Sequence, residues 1–370
     1  MKRVVVSVTN DLVIDQRVRK VCDTLIDEGF EILLIGRKLK KSLALKRSYP
    51  TYRMSLFFTK GFAFYAEYSI RLFIKLLFVR KDILLANDLD TLLPNFLISK
   101  LFKKKLVYDS HELFTEVPEL TSRPKVQNIW LKIEKWIFPK LKNVITVNSI
   151  IATIYQEKYK VGVHVIRNIS LKLPKFIPDQ ILAKRIKGDK KMLILQGSGI
   201  NVDRGAEEAV TMMQYLEGFV LVIVGGGDVF DKLKKIIKEL KLEDKVIIVG
   251  RAPYDELLKY TQIADLGLSL DKGTNLNYEY SLPNKVFDYI QCQIPMMVSD
   301  RRIVAKLVHD NEIGVVFKEH NPKKMATIIE KTFLDKQHLL QWKENLKKAA
   351  AIYNWENESE KLREIYRDLR

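Results

Sequence analysis

The sequence predicts an α/β protein with two domains, each built on a parallel sheet that helices cover on both faces. Its 370 residues exceed what one ordinary core needs. Short β-rich runs alternate with helical patterns through most of the chain, which is typical of parallel sheets. The alternation pauses once, over residues 167–189, where two prolines and little periodicity predict a linker. We therefore expect one sheet before this segment and one after it.

Strands and helices alternate regularly in the first half. The predicted strands are VVVSV, EILLIG, DILLA, KLVYD, NVITV and VHVI. The helical patterns between them cover residues 16–28, 56–78, 91–100, 129–138 and 150–158. Strands of this composition, buried on both faces, suit a central sheet.

The same alternation returns in the second half. The predicted strands are MLILQ, FVLVIVGGG, KVIIVG and ADLGLSL. Helices are predicted from about Gly205, over residues 230–240, after SLPNK, and over residues 355–369. The last of these carries a stripe of Trp355, Leu362, Ile365 and Leu369, so it is expected to dock by one apolar face.

Composition limits the class of partner and the compartment. The formal charge of +18 is spread along the chain, so we expect attraction to polyanions or to an anionic membrane. The two cysteines, Cys22 and Cys292, are far apart and support neither a disulfide framework nor a thiolate zinc site. The N-terminus lacks the features of a signal peptide, which predicts a cytoplasmic protein.

The most apolar stretch, residues 56–78, leaves two interpretations open. Lys60, Glu67, Arg71 and Lys75 interrupt it, which argues against a membrane-spanning helix. The last three share one helix face, so the segment either packs within its domain or lies in a membrane interface with its cations at the headgroups. The second alternative would place the protein on the inner face of the cytoplasmic membrane.

Loops that follow strands are the first candidates for a binding site, because ligands of open parallel sheets lie beyond the carboxyl ends of the strands. In the first half these loops read TNDLVIDQR, NDLD, DSHE and VNS. The histidine of DSHE, His111, has four candidate jobs: metal ligand, acid-base residue, sugar-binding residue or purely structural residue.

In the second half the segment SLPNKVFDY is the most informative. A turn and a proline precede an apolar helix, and Lys285 in its first turn would make an anion site with the backbone N–H groups. Asp288, one turn later, could bind a ribose hydroxyl, although a plain capped helix explains the same residues. Arg204 and Gly205 repeat the arrangement at another predicted helix start. GGGD fits neither common nucleotide-binding pattern and reads as a tight turn.

Other chemistries find little support in the sequence. It contains no HExxH motif and no clustered histidines, and one tripeptide, Asp88-Leu89-Asp90, is a weak magnesium candidate. It also lacks the GxSxG motif of the serine hydrolases.

Taken together, the segments resemble the retaining GT-B glycosyltransferases of family four, the glycosyl transferases group 1. The resemblance runs through DQRVRKVCDTLIDEGFEILLIG, DSHELFTEVPEL, VIRNIS, GSGINVDRG, GRAPYDEL and SLPNKVFDYIQCQIPMMVSD. It implies a GT-B fold of two Rossmann-like domains facing across a cleft. The expected boundaries are residues 1–168 for acceptor binding, 169–352 for the sugar nucleotide, and 353–370 for a helix that crosses back to the first domain.

The resemblance also assigns roles to residues. His111 would hydrogen-bond the transferred sugar, and Arg204 and Lys285 would neutralise the donor diphosphate; these three are the predicted catalytic residues. The residues assigned to sugar-nucleotide binding are Ser198, Arg204, Gly205, Gly225, Gly250, Arg251, Tyr280, Leu282, Pro283, Asn284, Lys285 and Asp288, and those assigned to acceptor binding are Asn10, Asp15, Arg17, Asp88 and Glu112. No cofactor and no metal are expected, only a nucleotide-diphosphate sugar as donor.

Three departures from the family pattern concern the donor site. Asp288 replaces the second of two paired glutamates, and Tyr280, beside Glu279, stands where the first is usual. Ser198 occupies the position of the first basic residue of the diphosphate pair. TNDLVIDQR replaces the usual glycine-rich loop after the first strand.

The implied activity is retaining transfer of a sugar to a glycan or lipid-linked acceptor, in bacterial surface polysaccharide or lipopolysaccharide synthesis. Two alternatives stay open at this point. The charge alone would suit a basic nucleic-acid-binding protein, although aromatic residues are not interleaved with basic ones and no nucleic-acid partner is expected. A GT-B sugar-nucleotide epimerase would need no acceptor. The sequence leaves the donor, the linkage and the oligomeric state open.

Overall fold

The chain forms two compact units. The computed structural model describes residues 1–13, 15–40, 42–173 and 177–370. The first unit comprises Met1–Asn168 with Glu358–Arg370, and the second comprises Ile169–Asn357. Part of the predicted linker, residues 174–176, and Ile14 of the TNDLVIDQR loop lie outside the described residues.

The first unit carries seven strands and six helices within the described residues, before the final helix. The strands are β1 Arg3–Asp11, β2 Glu31–Lys38, β3 Thr51–Ser55, β4 Ile83–Asn87, β5 Lys105–Ser110, β6 Asn143–Thr146 and β7 Val163–Val165. The helices are α1 Gln16–Asp27, α2 Gly61–Phe78, α3 Leu89–Leu101, α4 Pro118–Thr121, α5 Pro124–Ile137 and α6 Ser149–Tyr159.

These seven strands form one parallel sheet in the order β3-β2-β1-β4-β5-β6-β7. Its central strands are almost fully buried, as their unbroken apolar sequences require. The strand order reverses between β1 and β4, so the connections after these two strands leave toward opposite faces.

The second unit repeats the plan. Its strands are β8 Lys191–Gly197, β9 Phe219–Gly225, β10 Val246–Gly250, β11 Leu266–Ser269, β12 Met296–Ser299 and β13 Gly314–Phe317. Its helices are α7 Gln180–Ile186, α8 Ala206–Met212, α9 Phe230–Glu239, α10 Tyr254–Ile263, α11 Leu276–Glu279, α12 Asn284–Gln291, α13 Arg302–Asn311, α14 Pro322–Leu334 and α15 Lys336–Ile352. The last helix of the chain, α16, spans Trp355–Arg367.

The six strands of the second unit are also parallel, in the order β10-β9-β8-β11-β12-β13, and the order reverses between β8 and β11. Apolar side chains pack on both faces of this sheet, in two separate clusters. The prediction of two parallel-sheet α/β domains is therefore confirmed.

The structure corrects four local predictions. Strand β1 continues through Asp11, so Thr9 and Asn10 belong to the strand and not to the loop after it. Strand β3 was missed because its sequence, TYRMS, has few apolar residues and lies at the sheet edge. Helix α7 was missed because it occupies only seven residues of the presumed linker. The elements from β12 to α15 were not identified from the sequence.

Helix α2 packs by one stripe and exposes another. Its buried residues recur every fourth position and contact the sheet: Phe64, Tyr68, Leu72 and Leu76. A second apolar stripe, at positions four or eight residues apart, is exposed: Phe62, Ile70, Ile74 and Phe78. Positions two apart on a helix lie on opposite faces, so the exposed stripe points away from the core. Among the described residues no helix is long and apolar enough to cross a membrane.

Helix α16 docks on the first unit by apolar and ionic contacts, as its stripe predicted. Tyr366 is fully buried and meets the Phe30 ring edge-on, with ring centroids 5.8 Å apart. Glu28 accepts hydrogen bonds from Arg363 and Arg367, each at 3.0 Å. These two guanidinium groups hold the pKa of Glu28 at about 2, below its ordinary value.

We predict that this docking depends mainly on burial. Leu362 is 2% exposed, so Leu362→Ala should lower the free energy of unfolding of the first unit by about 2–5 kcal/mol. Denaturant unfolding followed by far-ultraviolet circular dichroism measures this change. Ile352→Ala, at a side chain 58% exposed, is the control and should cost less than about 0.5 kcal/mol. Equal losses in the two variants would contradict the docked helix.

Candidate functional site

Open parallel sheets bind ligands outside the carboxyl ends of their strands, where the strand order reverses. In the first unit the residues at this position come from the ends of β1, β4 and β5. In the second unit they come from the ends of β8 and β11. Most of the residues predicted from the sequence lie at these two edges, and each edge is considered by itself.

His111 is held between two carboxylates. Its backbone N–H donates to Asp88 Oδ1 at 2.8 Å, and its Nδ1 lies 3.3 Å from Asp88 Oδ2. Its Nε2 lies 3.2 Å from Asn87 Oδ1 and 3.4 Å from Asp109 Oδ2. Both ring nitrogens therefore face acceptors, which is the environment of a doubly protonated imidazolium.

The charges of the neighbours decide the protonation of His111. Burial by itself lowers the pKa of the ring, but Asp88 and Asp109 outweigh this effect and raise the pKa to about 9. The ring is therefore a cation at neutral pH, and it has no free lone pair with which to take a proton. A general base, one of the four jobs considered, does not fit this geometry.

Asp88 adopts a backbone conformation that costs energy. It caps the start of α3 with φ 58°, in the left-handed region that non-glycine residues rarely enter. Its N–H donates to the Asp109 carbonyl at 2.9 Å, and its side chain receives the His111 N–H. Such strain, about 1–3 kcal/mol, persists where surrounding contacts hold it and is common at functional sites.

Arg17 forms a buried ion pair with Asp109 and does not face solvent. Its Nε and Nη2 donate to the two Asp109 oxygens at 3.0 and 2.7 Å, and its Nη1 donates to the Ile166 carbonyl at 2.9 Å. Both side chains are 3% exposed. Burial raises the pKa of Asp109, but Arg17 and His111 outweigh it and hold the pKa well below its ordinary value. The predicted acceptor contact of Arg17 gains no support from this placement.

The other predicted acceptor residues are distributed along the same edge. Asp15 caps α1 by accepting from the Val18 N–H, and the exposed Asn10 donates to it at 2.9 Å. Glu112 follows His111 and is half-buried. The structure thus brings Asp88, His111 and Glu112 together, whereas Asn10 and Asp15 form a separate pair at the start of α1.

In the second unit, Arg204 lies flat against an aromatic ring and beside a carboxylate. Its guanidinium is 4.0 Å from the centroid of Tyr278, and its Nη1 is 3.1 Å from Asp271 Oδ2. Asp271 is 2% exposed, whereas Arg204 keeps about a quarter of its side chain in solvent. A guanidinium fixed in this way can present its remaining N–H groups to an anion.

Gly205 allows this arrangement. It has φ 73° and precedes α8, and a Cβ there would lie 2.4 Å from the Leu270 Cβ. The loop after β8 can therefore approach the end of β11 only with glycine at this position. The prediction of a helix start with a close-approach glycine is confirmed.

The charges of Arg204 and Asp271 also act on Lys285. It lies in the first turn of α12, which begins after Pro283 as predicted. Burial and the nearby Arg204 charge lower the pKa of Lys285, and Asp271 opposes them. The structure therefore brings the two predicted diphosphate-binding cations together around one buried aspartate.

Asp288 is already engaged within the protein. Its Oδ1 accepts hydrogen bonds from Ser170 at 2.6 Å and Tyr254 at 2.7 Å, and its Oδ2 accepts from Gln196 at 2.9 Å. The residue is buried. These contacts link α10 and α12 to β8, which favours the structural interpretation over a ribose contact; the latter stays a prediction.

The remaining predicted donor residues lie in loops along the same edge. Gly225 and Gly227 let the loops after β8 and β9 meet, since a Cβ at either would lie 1.8 Å from a carbonyl oxygen. Arg251 follows Gly250, which has φ 82°, and Arg251 lies against Gly226. Ser198 and Asn284 are exposed, and Leu282 is half-buried.

Glu279 and Tyr280, at the place of the missing first acid, have partners of their own. Glu279 accepts from Arg301, and the Arg302 guanidinium lies 5.9 Å from the Tyr280 ring centroid. Over the described ranges, no group of three or more histidine, cysteine or acidic side chains is arranged to hold a metal ion.

Sequence reasoning missed the contacts that define both edges, and it considered Asp90 only as a weak magnesium candidate together with Asp88. Asp271 and Tyr278 fix Arg204, and Thr9 and Asp90 meet beside His111. Asp271 follows the predicted strand ADLGLSL directly, so its position was a usable signal. Tyr278 has no such signal, because only the folded loop brings it to Arg204.

Comparison with known proteins finds a family match within the second unit. Residues 179–349 match the model of the family Glycosyl transferases group 1. A curated relative, a chitobiosyldiphosphodolichol beta-mannosyltransferase of Dictyostelium discoideum, is 27% identical over 118 residues. That alignment spans 32% of this chain and less than a quarter, 23%, of the relative's length.

Solved structures share the fold over the whole chain. The sucrose-phosphate synthase of Thermosynechococcus elongatus matches with a TM-score of 0.82 at 17% identity, covering 100% of this chain and 99% of its own. HepE of Anabaena in complex with UDP-glucose matches with a TM-score of 0.75 at 13% identity, covering 100% of both chains. WaaG, a glycosyltransferase involved in lipopolysaccharide biosynthesis, has a TM-score of 0.70 at 13% identity and covers 98% and 99%. The GT-B fold class is thus confirmed.

We predict that His111 makes stability depend on pH. Its folded pKa of about 9 exceeds the unfolded value of about 6.5, so its contribution is fully present below pH 6.5 and is lost as the pH rises through 9. The free energy of unfolding should fall by about 1–3 kcal/mol over this range. In His111→Asn the fall should be smaller, as measured by urea unfolding at several pH values. An unchanged pH profile in the variant would show that His111 is not the titrating group.

Proposed function

We propose that this protein is a retaining glycosyltransferase that moves a sugar from a nucleotide-diphosphate sugar to a hydroxyl group of a glycan or lipid-linked acceptor. The observation that carries the proposal is the coupled cation pair, Arg204 and Lys285, at the switch point of the second unit. This edge belongs to the part of the chain that matches the glycosyl transferases group 1. The likeness to HepE, solved with UDP-glucose, supports a nucleotide-sugar donor.

The cations would act on the leaving group. As the bond to the anomeric carbon breaks, negative charge grows on the departing diphosphate. Arg204, held against Tyr278, can meet that charge without rearranging, and Lys285 adds a second positive charge at the start of α12. We assign the neutralisation of the diphosphate to these protein cations, without a bound metal ion.

The acceptor would bind at the edge of the first unit. Its hydroxyl attacks the anomeric carbon from the face that the diphosphate leaves, and a phosphate oxygen takes the hydroxyl proton. This route needs no protein base, which agrees with the protonated state of His111. His111 then contributes a fixed positive charge beside the transferred sugar, with Asp88 and Asp109 holding the ring.

The stereochemical outcome is a separate part of the proposal. Retention follows from the family resemblance, whereas the name of the curated relative records a β-mannosyl transfer. The anomeric configuration of the product, read by nuclear magnetic resonance against that of the donor, decides between retention and inversion. Release of a free epimerised sugar without any acceptor would instead identify an epimerase.

The biological setting that we propose is the synthesis of bacterial surface polysaccharide or lipopolysaccharide on the cytoplasmic side of the membrane. The fold is shared with WaaG, a glycosyltransferase of lipopolysaccharide biosynthesis. The exposed stripe of α2 and the net charge of +18 suit a lipid-linked acceptor held in an anionic bilayer.

We predict that donor binding and turnover depend on Arg204. A thermal-shift panel of UDP-, GDP-, ADP- and CMP-sugars should identify one donor that raises Tm, since a ligand at about 100 times its Kd adds roughly 2.7 kcal/mol. With that donor, Arg204→Ala should lower kcat by about 10- to 150-fold, the value of one charge-assisted contact.

Two further variants test whether the loss of turnover is specific to the diphosphate site. Arg185→Ala, at an exposed arginine of α7, is the control and should keep wild-type turnover. His111→Ala should reduce transfer more than donor binding, because it lies in the other unit. Near-normal transfer by Arg204→Ala would remove this residue from the diphosphate site, and a panel in which no donor raises Tm would contradict the donor site itself.

We also predict that α2 binds membranes. Ile70→Ser with Ile74→Ser removes the middle of the exposed stripe, and it should reduce cosedimentation with phosphatidylglycerol-containing vesicles by at least about 10-fold, since each lost side chain was worth roughly 1.5–3 kcal/mol when buried in lipid. Leu334→Ser, at an exposed leucine of the second unit, is the control. Wild-type sedimentation by the double variant would show that the stripe is not the contact.

A further inference from the structure

Asp90 is a buried carboxylic acid at the switch point of the first unit, in the first turn of α3. Its side chain is 6% exposed. Thr9, at the end of β1, donates its hydroxyl to Asp90 Oδ2 at 2.5 Å. Among the described residues Asp90 Oδ1 has no hydrogen-bond partner. A buried carboxyl oxygen without a partner is costly, so its presence calls for a reason.

The surroundings of Asp90 contain charges of both signs. Asp88 and Glu112 are the acidic neighbours, and His111 is the cationic neighbour from the end of β5. Burial first, and then Asp88, raise the pKa of Asp90 to about 7, against the opposing effects of Thr9 and His111. The acid therefore changes charge near neutral pH.

Two tyrosines of α2, Tyr65 and Tyr68, lie within electrostatic range of Asp90. Tyr68 is fully buried and donates its hydroxyl to the Val8 carbonyl at 2.6 Å, so it is occupied. Tyr65 is half-buried; burial raises its pKa to about 12, and the charge of Asp90 adds to the rise. The charge of Arg37, from β2, lowers the pKa of both tyrosines and so opposes the effect of the Asp90 charge. Arg37 donates to the Thr59 carbonyl and lies over the Phe64 ring.

Tyr65 belongs to an aromatic cluster beside further acids. Its ring meets Trp130 edge-on at 5.2 Å, and Trp130 meets Phe114 at the same distance. The negative charges of Glu112 and Glu119 raise the pKa of Tyr65, as the charge of Asp90 does. Trp130 and Phe114 are buried and support the half-buried ring of Tyr65, which is the accessible ring of the three. Aromatic side chains with a few convergent polar groups are the usual make-up of a small-molecule site. Carboxylates beside aromatic rings suit a sugar in particular, since its hydroxyls donate hydrogen bonds and its C–H faces pack on rings.

We propose that Asp90 and Tyr65 form a subsite for an uncharged sugar of the acceptor, in which Asp90 accepts a hydrogen bond from a sugar hydroxyl through Oδ1. The inference rests on the proposed function and deepens it by naming the chemistry of the acceptor. Asp88, Asp90, Glu112 and Glu119 would repel a phosphorylated or acidic sugar at this place. Within a chain of net charge +18, this concentration of carboxylates selects against anions locally.

If Asp90 had only a structural role, a different pKa and a different effect on stability would be expected. An acid in the first turn of a helix is favoured by the helix dipole, and Thr9 adds one hydrogen bond. These contacts would stabilise the ionised form and lower the pKa, yet the pKa of Asp90 is raised. The fold therefore loses stability when Asp90 ionises, as expected of a group kept for function. The two explanations predict opposite effects of Asp90→Asn on stability.

The test uses the full chain, the donor identified by the thermal-shift panel, and octyl glycosides of glucose, galactose, mannose and N-acetylglucosamine as acceptors. Octyl glucuronide is the charged probe, and wild-type protein should prefer an uncharged glycoside. With the best acceptor, Asp90→Asn should raise KM by about 10-fold or more while donor binding is unchanged. The wild-type kcat/KM should rise with pH through about 7, and this rise should vanish in the variant.

Stability is measured on the same proteins at pH 8. The ordinary pKa of an aspartic acid is about 3.9, so the stability linked to protonated Asp90 is fully present below that pH and lost as the pH rises through about 7. Asp90→Asn should therefore keep or raise Tm at pH 8. Asp27→Asn, at an exposed aspartate of α1, is the matched control and should change neither Tm nor KM. Tyr65→Ala is a second variant and should raise the acceptor KM alone.

Each outcome of these experiments has one interpretation. A lower Tm with an unchanged acceptor KM in Asp90→Asn overturns the inference and makes Asp90 structural. A preference for octyl glucuronide, or donor hydrolysis without transfer to any uncharged glycoside, overturns the uncharged-sugar subsite and leaves the glycosyltransferase proposal intact. If wild-type protein binds no nucleotide sugar, the proposed function itself fails.

Discussion

The buried ion pair between Arg17 and Asp109 fixes the functional edge of the first unit. Two charges removed from water are stable only with close geometry and further hydrogen bonds, and here the contact is bidentate and Arg17 also binds the Ile166 carbonyl. The pair ties α1 to β5 and to the end of the unit. Because Asp109 stays ionised, it can also hold His111 as a cation. Removing Asp109 would leave the Arg17 charge in the core without its carboxylate, near the strained turn at Asp88.

The two units use one topology with opposite electrostatics. Both sheets reverse their strand order once, and in both the polar side chains collect beyond the strand ends at that point. In the first unit the collected groups are mainly carboxylates around a single imidazolium. In the second the cations Arg204 and Lys285 lie around the buried carboxylate of Asp271, while Asp288 is engaged in hydrogen bonds within the protein. An acidic edge suits hydroxyl groups and a basic edge suits phosphate oxygens, which is the division that the proposed sugar transfer would require.

Much of the fold could be predicted because it depends on local patterns. The central strands read as continuous apolar runs, and helix starts such as those at Gly205 and Pro283 carry recognisable cap residues. The failures have equally physical causes. Strand β3 is a polar edge strand whose partner, β2, supplies the pairing, and α7 is too short to show a period. The glycines of GGGD were interpreted as a tight turn, and the structure adds that they let two backbone segments come together.

By itself the sequence determined the alternation of strands and helices, the two sheets and the loops in which polar residues follow strands. It also placed His111, Arg204 and Lys285 among the candidates, because strand ends and helix starts are local features. Only the tertiary structure decided what these residues contact: Asp88 and Asp109 for His111, Asp271 and Tyr278 for Arg204, and Thr9 for Asp90. The reason is that a parallel sheet joins strands far apart in the chain. Protonation and charge depend on those distant neighbours and not on the residue type alone.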